Sequence, residues 1–313
     1  MRAAVMGAHG PFATSRCALS INVARPDVRF LRLTVPHLVR MCRWDFVERV
    51  LVVDPSPPHR RYARDASLAS LDELRAACAE LRDAGVVDRI VDVDYAPATV
   101  AAITAKHFGR PLRHTHDYRG YPTYGLLFAY ERAAGDHFLH FDADMLLHQD
   151  PDYSWIDAGL ALLRARRDVA TVTPLAGPPS PDGRLRQRAR YELDADGFYR
   201  FQHFTSRKFL VERARFDALL PLRPRAVSWR RRVTSVVSGK SPLERWEQLV
   251  SERLAASGTF RADLASPRAW TLHPPDHGPA FVAALPSIIA RVEAGEFPAA
   301  QAGDYDLRLA LWS

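Results

Sequence analysis

Cysteine, lysine and long apolar runs are all scarce in this chain of 313 residues. The three cysteines, Cys17, Cys42 and Cys78, form no CxxC pair and leave an odd count. That count argues for a reducing compartment and against a disulfide scaffold or a zinc ribbon. No segment approaches the roughly 20 consecutive apolar residues that span a bilayer, and residues 1–20 lack a continuous apolar core of signal-peptide length. The sequence therefore predicts a cytoplasmic protein without a transmembrane segment, and it leaves peripheral membrane contact open.

Lysine is rare: only three of the 43 basic residues are lysines. The formal net charge of +7 is thus carried mainly by arginines, which are scattered along the chain. The densest cluster is Trp229-Arg230-Arg231-Arg232, and it suits an anionic acceptor, a lipid headgroup or plain solvent. Scattered charge of this kind does not predict a nucleic-acid partner.

No GxGxxG follows any predicted strand, which argues against a dinucleotide-dependent dehydrogenase. The first half of the chain instead alternates apolar runs, at 18–24, 50–54, 86–93 and 137–142, with helical patterns. Ser70 is the predicted N-cap of one helix, and Gly135 is the predicted C′ residue of another. This alternation predicts an α/β fold with a mostly parallel central sheet flanked by helices.

The second half is less regular. A helix over 155–167 and a strand over 169–173 are predicted. Residues 177–190 have the composition of a long exposed loop, and residues 227–241 are a candidate mobile segment. Loops of this length in a compact domain are often functional.

The strongest signal for chemistry is Asp142-Ala143-Asp144, at the carboxyl end of an apolar run. In extended backbone, residues i and i+2 project to the same side about 7 Å apart, so the two carboxylates can share one hard divalent cation. Ligand sites in open parallel sheets lie outside such strand ends. A divalent cation there neutralises a departing diphosphate as a Lewis acid. A helix N-cap or a solvated turn is the structural alternative for the same tripeptide.

The run YGLLFAYERAAGDHFLHFDADMLLHQDP (124–151) resembles the nucleotide-sugar-binding half of GT-A-fold glycosyltransferases close to family 2, which carry a DxD motif after a helix of this kind. The resemblance rests on the order of the surrounding elements more than on DxD itself. It implies a Rossmann-like nucleotide-sugar-binding fold, a nucleotide-sugar donor, a hydroxyl-bearing acceptor and Mn²⁺ or Mg²⁺. By position Asp144 would bind the metal directly, and Asp142, with Ala143 beside it, would contact the ribose or a metal-bound water.

Two further sites match that pattern at the ends of the first two strands. Val23 and Arg25 correspond to the place where such enzymes receive the nucleobase. Asp54 matches the acidic residue that hydrogen-bonds the base, which favours a UDP-sugar although a guanine edge can also donate. Turn capping before Pro55 is the alternative for Asp54, and a surface position is the alternative for Arg25. Arg119, in a tyrosine-rich loop, is a further candidate for donor binding.

In this family the general base of an inverting enzyme opens a helix downstream of DxD. The segment SPLERWEQLVSERL (241–254) offers Glu244 and Glu247. Interpreted as one helix, it places Glu247 nearer than Glu244 to its apolar stripe, at the edge of a buried surface. We therefore expect Glu247 to be the base and hold Glu244 in reserve. Salt bridges with neighbouring arginines are the alternative for both.

Several GT-A enzymes supply a C-terminal histidine as a further metal ligand. His273, which follows an apolar run in WTLHPPDHG, is positioned for that role, and His277 in the following loop is less favoured. The run FTSRKFLV (204–211) resembles the strand that lines the donor sugar and the acceptor side in such enzymes. By that resemblance Thr205, Ser206 and Arg207 would contact sugar hydroxyls or phosphate, and a plain strand edge is their alternative. By this resemblance residues 1–150 form the donor-binding half and residues 151–313 the acceptor-binding and catalytic half of one compact domain.

Three other functions remain to be weighed. A sugar-nucleotide pyrophosphorylase usually has a Gly-rich basic loop after its first strand, and INVARPDVRF contains no glycine. A haloacid-dehalogenase-type phosphatase carries its DxD on the first strand, whereas here the motif ends about the fourth. A GT-A-like domain that binds a glycan without turnover stays open on sequence alone.

Overall fold

The computed structural model describes residues 15–57, 68–237 and 241–312. Its strands are β1 (Cys17–Val23), β2 (Glu48–Val53), β3 (Arg89–Asp92), β4 (His137–Asp142), β5 (Leu146–Gln149), β6 (Val169–Thr173), β7 (Leu175–Ala176), β8 (Tyr191–Leu193), β9 (Phe198–Phe201), β10 (Lys208–Glu212), β11 (Phe260–Leu264) and β12 (Ala269–Leu272). The α-helices are α1 (Leu31–Cys42), α2 (Leu71–Asp83), α3 (Pro97–Phe108), α4 (Thr123–Arg132), α5 (Trp155–Ala165), α6 (Arg213–Asp217), α7 (Trp229–Val237), α8 (Trp246–Ser257) and α9 (Pro279–Glu293). Short 3₁₀ helices cover Arg25–Arg29, Ala299–Gln301 and Leu309–Leu311.

Nine of the described strands form the central sheet, in the order β3-β2-β1-β4-β10-β6-β11-β9-β8. Strands β1 to β4 pair in parallel, and so do β6 and β11. The other four pairings, which involve β8, β9 and β10, are antiparallel. The predicted α/β fold with a central sheet flanked by helices is confirmed. The strands from the first half of the chain, which the strand–helix alternation predicted to be parallel, pair in parallel with one another. The strands from the second half pair in both directions.

Helices cover both faces of the sheet. Side chains of a strand alternate between its two faces. Leu51 and Val53 of β2 therefore join the core that contains α1 and α2, whereas Val50 and Val52 join the core that contains α3 and α4. The central strands are buried on both sides, as expected for parallel strands in an α/β fold.

Two predicted helix ends have different outcomes. Ser70 is the N-cap of α2, as predicted: its Oγ accepts from the Glu73 amide (3.1 Å), and the Glu73 carboxylate accepts from the Ser70 amide (2.6 Å). Gly135 as the C′ residue of α4 is wrong, because α4 ends at Arg132. Gly135 instead has φ +84° in the turn into β4, where a Cβ atom would collide with the Arg16 carbonyl.

A second sheet of three short strands has the order β5-β12-β7. Strand β12 runs antiparallel to β5, with Leu272 opposite Leu146, and parallel to β7. The start of β5 and the end of β12 therefore lie at the same end of this small sheet. Strand β5 begins directly after the turn that follows β4.

The two long irregular segments of the second half differ. Residues 177–190 contain neither helix nor strand, as predicted. Residues 227–241 contain α7, and positions 238–240 lie outside the described residues. Across the described ranges, no helix combines the length and apolar character needed to cross a bilayer.

Candidate functional site

The carboxyl ends of β1, β2 and β4 lie side by side because these strands are parallel neighbours. Asp142 ends β4 opposite Asn22 of β1. Asp54 follows β2, and its amide donates to the Val23 carbonyl (2.9 Å). The structure thus brings Val23, Asp54 and Asp142 to one edge of the sheet. Ligands of open α/β sheets bind at this edge.

The two aspartates of the DxD motif are separated by a turn. Strand β4 ends at Asp142, and the Met145 amide donates to the Asp142 carbonyl (3.2 Å). The extended geometry assumed from the sequence is therefore wrong, because the chain turns before Asp144 instead of continuing the strand. The side chain of Asp142 is 43% exposed, whereas that of Asp144 is 14% exposed and Ala143 is buried.

Strand β12 brings His273 to Asp144. Because the last residue of β12 pairs with the first residue of β5, the residue after β12 faces the turn before β5. Nε2 of His273 lies 3.8 Å from Oδ2 of Asp144, and Nδ1 of the same ring lies 2.8 Å from Oδ1 of Asp306. A carboxylate on the second ring nitrogen orients a histidine for metal binding. The structure thus brings together these two predicted metal ligands.

His277 lies closer to Asp144 than His273 does, with Nε2 3.0 Å from Oδ2. Its ring packs against Phe30 and Phe281, with centroids 5.0 Å and 5.8 Å away. The sequence favours His273 over His277 as a ligand, and the structure reverses that order because the loop after β12 folds back over the turn. The four-residue spacing between the two histidines was the available signal.

The carboxyl group of Asp144 is held in its ionised form. Burial alone raises its pKa, but the hydrogen bond with His277 and the charges of His273, His277 and Arg207 lower the pKa below its ordinary value. Its Oδ1 atom is buried and has no hydrogen-bond partner among the described residues. A buried, unpartnered carboxylate oxygen is costly, and a cation or a proton donor would satisfy it.

A metal ion would need part of its coordination from a ligand. In the described parts of the chain, no three or more His, Cys, Asp or Glu side chains are already gathered to hold a metal ion. Asp144 and the two histidines nonetheless offer one carboxylate and two imidazole nitrogens, with the unpartnered Oδ1 beside them. This donor set fits a divalent cation that also binds phosphate oxygens.

Arg207 interacts electrostatically with both aspartates of the DxD motif and with the predicted base, Glu247. The antiparallel register of β10 and β4 places it beside Asp142, whose amide donates to the Arg207 carbonyl (2.7 Å). Burial alone lowers the pKa of the guanidinium, but four groups raise it above its ordinary value: Tyr305, Asp142, Asp144 and Glu247. Its Nη1 atom is buried without a hydrogen-bond partner in the described ranges. A guanidinium in this position is suited to phosphate oxygens.

The two predicted base candidates lie in different surroundings. Helix α8 begins at Trp246, so Glu247 is in its first turn, whereas Glu244 precedes it, and the prediction of one helix for both is wrong. The Ser206 amide (3.0 Å) and hydroxyl (2.9 Å) both donate to Oε1 of Glu247, and Nη1 of Arg245 lies 3.6 Å from Oε2. Glu244 instead lines a mainly apolar pocket between α3, α4 and α8.

The predicted nucleobase contacts have partners within the chain. Oδ1 of Asp54 accepts from the Ser56 amide (2.8 Å) and the Tyr95 hydroxyl (3.0 Å), so Asp54 also caps the turn after β2. Nε of Arg25 donates to the Ala69 carbonyl (2.6 Å), just before α2. Asp54 is thus held at the sheet edge by two hydrogen bonds to one of its two carboxylate oxygens. Arg25 is held by its hydrogen bond to Ala69, just before α2.

Arg119 lies in a loop on the side of the apolar pocket. Oδ1 of Asp117, which lines that pocket, accepts from the amides of residues 119–121 (2.8–3.0 Å). The Tyr118 amide donates to the Leu243 carbonyl (3.0 Å), and Nε of Arg119 donates to the Tyr118 hydroxyl (3.0 Å). These contacts hold the loop that carries Arg119 against the residues that precede α8.

Asp27 is a further acidic residue near the two aspartates of the DxD motif, and no sequence motif predicts it. It accepts from the Ala24 amide (2.7 Å) at the start of the first 3₁₀ helix. Burial raises its pKa to about 7, and the nearby charges of Asp144 and Asp142 add to the rise. An acid shortly after the first strand was the available signal. We refer to the following residues as the acidic crevice: Asp27, Asp142, Asp144, Arg207, Glu247, His273 and His277.

No protein-family model matches the chain, and no curated protein sequence matches it. Among solved structures, it is similar to GalNAc-T7 crystallised with UDP, GalNAc and Mn²⁺, at 13% identity and a TM-score of 0.46 over 83% of this chain. It is also similar to the galactosyltransferase LgtC in complex with donor and acceptor sugar analogs, at 14% identity and a TM-score of 0.36 over 78% of this chain. The matches cover 44% of the GalNAc-T7 chain and 72% of the LgtC chain. At these values the similarity assigns no activity to this chain.

Proposed function

We propose that this chain is a metal-dependent glycosyltransferase of the GT-A type, which moves a sugar from a nucleotide-diphospho-sugar to an acceptor hydroxyl. One observation carries the proposal: Oδ1 of Asp144 and Nη1 of Arg207 are both buried without hydrogen-bond partners among the described residues, beside the carboxyl ends of parallel strands. The carboxylate oxygen needs a cation or a donor, and the guanidinium needs an anion. A diphosphate bound with a divalent cation supplies both.

The nucleoside of the donor is assigned to the ends of β1 and β2. Val23, Arg25 and Asp54 lie there, and a carboxylate that accepts an imide N–H favours a UDP-sugar. Asp142, whose carboxylate is 43% exposed, is assigned with Ala143 to the ribose or a metal-bound water. Residues 1–150 are then the donor half and residues 151–313 the acceptor half, joined in one sheet by the pairing of β4 with β10.

Asp144, His273 and His277 would hold Mn²⁺ or Mg²⁺. When bound, the cation neutralises the charge that develops on the departing diphosphate. Asp306 fixes the ring of His273, and the packing of His277 against Phe30 fixes the second imidazole. Arg207, whose pKa is raised by both aspartates, adds a positive charge beside them, where it would bind a phosphate oxygen.

Glu247 is assigned as the general base of an inverting transfer. Two hydrogen bonds from Ser206 fix Oε1, so the carboxylate is oriented before the acceptor arrives. It would take the proton of the acceptor hydroxyl while the acceptor oxygen attacks the anomeric carbon and the bond to the diphosphate breaks. Arg245 contacts both Glu247 (3.6 Å) and Glu244 (3.9 Å), so the base lies next to the apolar pocket that Glu244 lines. We therefore assign the acceptor to that pocket.

A nucleotide-sugar panel tests this proposal. UDP-, GDP- and dTDP-sugars are each incubated with the chain and Mn²⁺, then with EDTA. We expect release of nucleoside diphosphate with one donor class and its loss in EDTA. Consumption of pyrophosphate with formation of a nucleoside triphosphate would identify a pyrophosphorylase instead. Binding without turnover would identify a non-catalytic domain, and neither binding nor turnover of any nucleotide sugar would refute the proposal.

A further inference from the structure

Helix α7 presents a row of apolar side chains to solvent. Trp229, Val233 and Val237 follow one another at a spacing of four residues and are 72%, 54% and 82% exposed. At about 100° per residue, these three positions fall on one face roughly 80° wide. Three of the seven large hydrophobic residues that are exposed in the described chain lie on this one helix. Scattered exposed apolar residues are ordinary, but a contiguous row marks an interaction surface.

Positive charge accompanies this row. Residues 218–237 contain five arginines and no aspartate or glutamate, in a chain whose net charge is +7. Arg230 and Arg231 are exposed on α7, and Arg223 and Arg225 are exposed shortly before it. The segment therefore combines an apolar stripe with concentrated positive charge. A helix of this kind lies in the boundary between headgroups and acyl chains of an anionic membrane.

We infer that α7 docks on an anionic phospholipid surface. Trp229, Val233 and Val237 enter the acyl boundary, and exposed arginines such as Arg230 and Arg231 contact the headgroup phosphates. A nucleic acid would attract the arginines but would leave the apolar row in water. A protein groove would cover the apolar row but does not call for arginines concentrated beside it. Tryptophan also prefers the interface between membrane and water.

The base of the α7 segment lies at the apolar pocket. Ala226 pairs with Leu243, and the Val227 amide donates to the Pro242 carbonyl (2.9 Å), which closes the segment before α8 begins. Leu243 also lines the pocket, and the guanidinium of Arg231 lies 5.6 Å from the ring of Tyr118. Docking through α7 thus brings the pocket side of the chain close to the lipid surface.

Vesicle binding tests this inference without reference to catalysis. The full chain is mixed with vesicles of phosphatidylcholine alone or of equal parts phosphatidylcholine and phosphatidylglycerol, and the bound fraction is measured by flotation. We expect binding to the anionic vesicles only, and weaker binding as salt rises. The double variant Val233→Ser/Val237→Ser and the double variant Arg230→Glu/Arg231→Glu should each weaken binding by about tenfold or more.

Matched controls come from exposed residues elsewhere. Leu193→Ser removes an apolar side chain that is 64% exposed, and Arg184→Glu reverses a charge on a side chain that is 82% exposed. Both should bind anionic vesicles like the unaltered chain, and thermal unfolding should show that all variants are folded. The inference is overturned if the unaltered chain ignores anionic vesicles at low salt. It is equally overturned if the serine variant binds as tightly as the unaltered chain, since charge alone would then explain the attraction.

Discussion

The acidic crevice and helix α7 differ in the solvent exposure of their charged and apolar side chains. In the crevice, acidic groups and cations are partly buried and shift one another's pKa, as Asp144 and Arg207 show. On α7, arginines and a row of large apolar side chains face water together. The crevice is built where strand ends converge, whereas α7 lies on a segment that is joined at its base by the pairing of Ala226 with Leu243. Groups that do chemistry need a rigid frame, and groups that dock on a surface need exposure. Changes in the two regions should therefore have separable effects.

The largest effect is expected for Asp144→Asn. The change removes the negative charge that His273 and His277 contact and that would hold the cation. Metal-dependent donor binding should therefore fall by more than about 10–100-fold, the loss typical when a residue behind a metal ligand is changed, and transfer should be lost. Calorimetry with a nucleotide sugar and Mn²⁺ measures the loss. Asp150→Asn is the matched control, because Asp150 pairs with Arg268 outside the crevice. Donor affinity unchanged in the Asp144 variant would remove the metal role from this residue.

Glu247→Gln should separate chemistry from binding. Loss of a general base lowers turnover by about 10²–10⁴-fold, while donor affinity should stay the same because glutamine keeps the shape of the side chain. Initial rates and donor titrations of the same variant measure both. Glu252→Gln is the control on the same helix, where the carboxylate forms an exposed ion pair with Arg225. Near-normal turnover in the Glu247 variant, with a large loss in Glu244→Gln, would move the role to Glu244.

Variants of the two histidines test the proposed metal site by Mn²⁺ binding alone, without an activity assay. His277→Ala and His273→Ala should each weaken Mn²⁺ binding by about 10-fold or more in a metal titration without donor. Asp306→Asn should weaken it less, because Asp306 acts only through the ring of His273. None of these changes should alter vesicle binding through α7. A Mn²⁺ titration that His277→Ala leaves unaltered would make the contact of His277 with Asp144 purely structural.

The smallest effect concerns Lys208, which follows Arg207 but is buried. Its Nζ atom contacts the Thr271 hydroxyl and lies 4.7 Å from the centre of the Tyr305 ring, and burial lowers its pKa to about 7. Above its unfolded pKa of about 10.4 the lysine is neutral in both states. As the pH falls from there towards 7, the unfolded chain binds a proton that the folded chain does not, so this group progressively destabilises the fold.

Lys208→Met should remove that pH dependence. The free energy of unfolding of the variant, minus that of the unaltered chain, should decrease as pH rises from about 7 to about 9, by at most about 1.4 kcal/mol per pH unit. Denaturant unfolding at several pH values measures this difference. A difference that stays constant over the range would mean that Lys208 keeps its proton in the folded chain.

The candidate site shows which parts of a function can be obtained from residue order. The DxD tripeptide, Asp54 and His273 could be predicted because each follows an apolar run, and parallel strands end at one edge. The approach of His273 to Asp144 depends on the register of β12 with β5, two segments that lie far apart in the chain. The closer contact of His277 with Asp144 depends on how the loop after β12 folds back. A loop has no repeating apolar pattern from which its path could be predicted. Glu247 remains a prediction, and its hydrogen bonds with Ser206 depend on how β10 and α8 pack.

The sequence by itself determined the local elements. The strands around 50–53 and 137–142 follow from runs of apolar residues, and the cap at Ser70 follows from side-chain hydrogen bonds within three residues. The sequence also determined that parallel strands would form the first half of the sheet. Only the tertiary structure decided that β10 lies between β4 and β6, because an antiparallel insertion is set by packing and loop closure rather than by local pattern. That insertion carries Arg207 to Asp142, so the charge balance of the acidic crevice is a property of the assembled sheet.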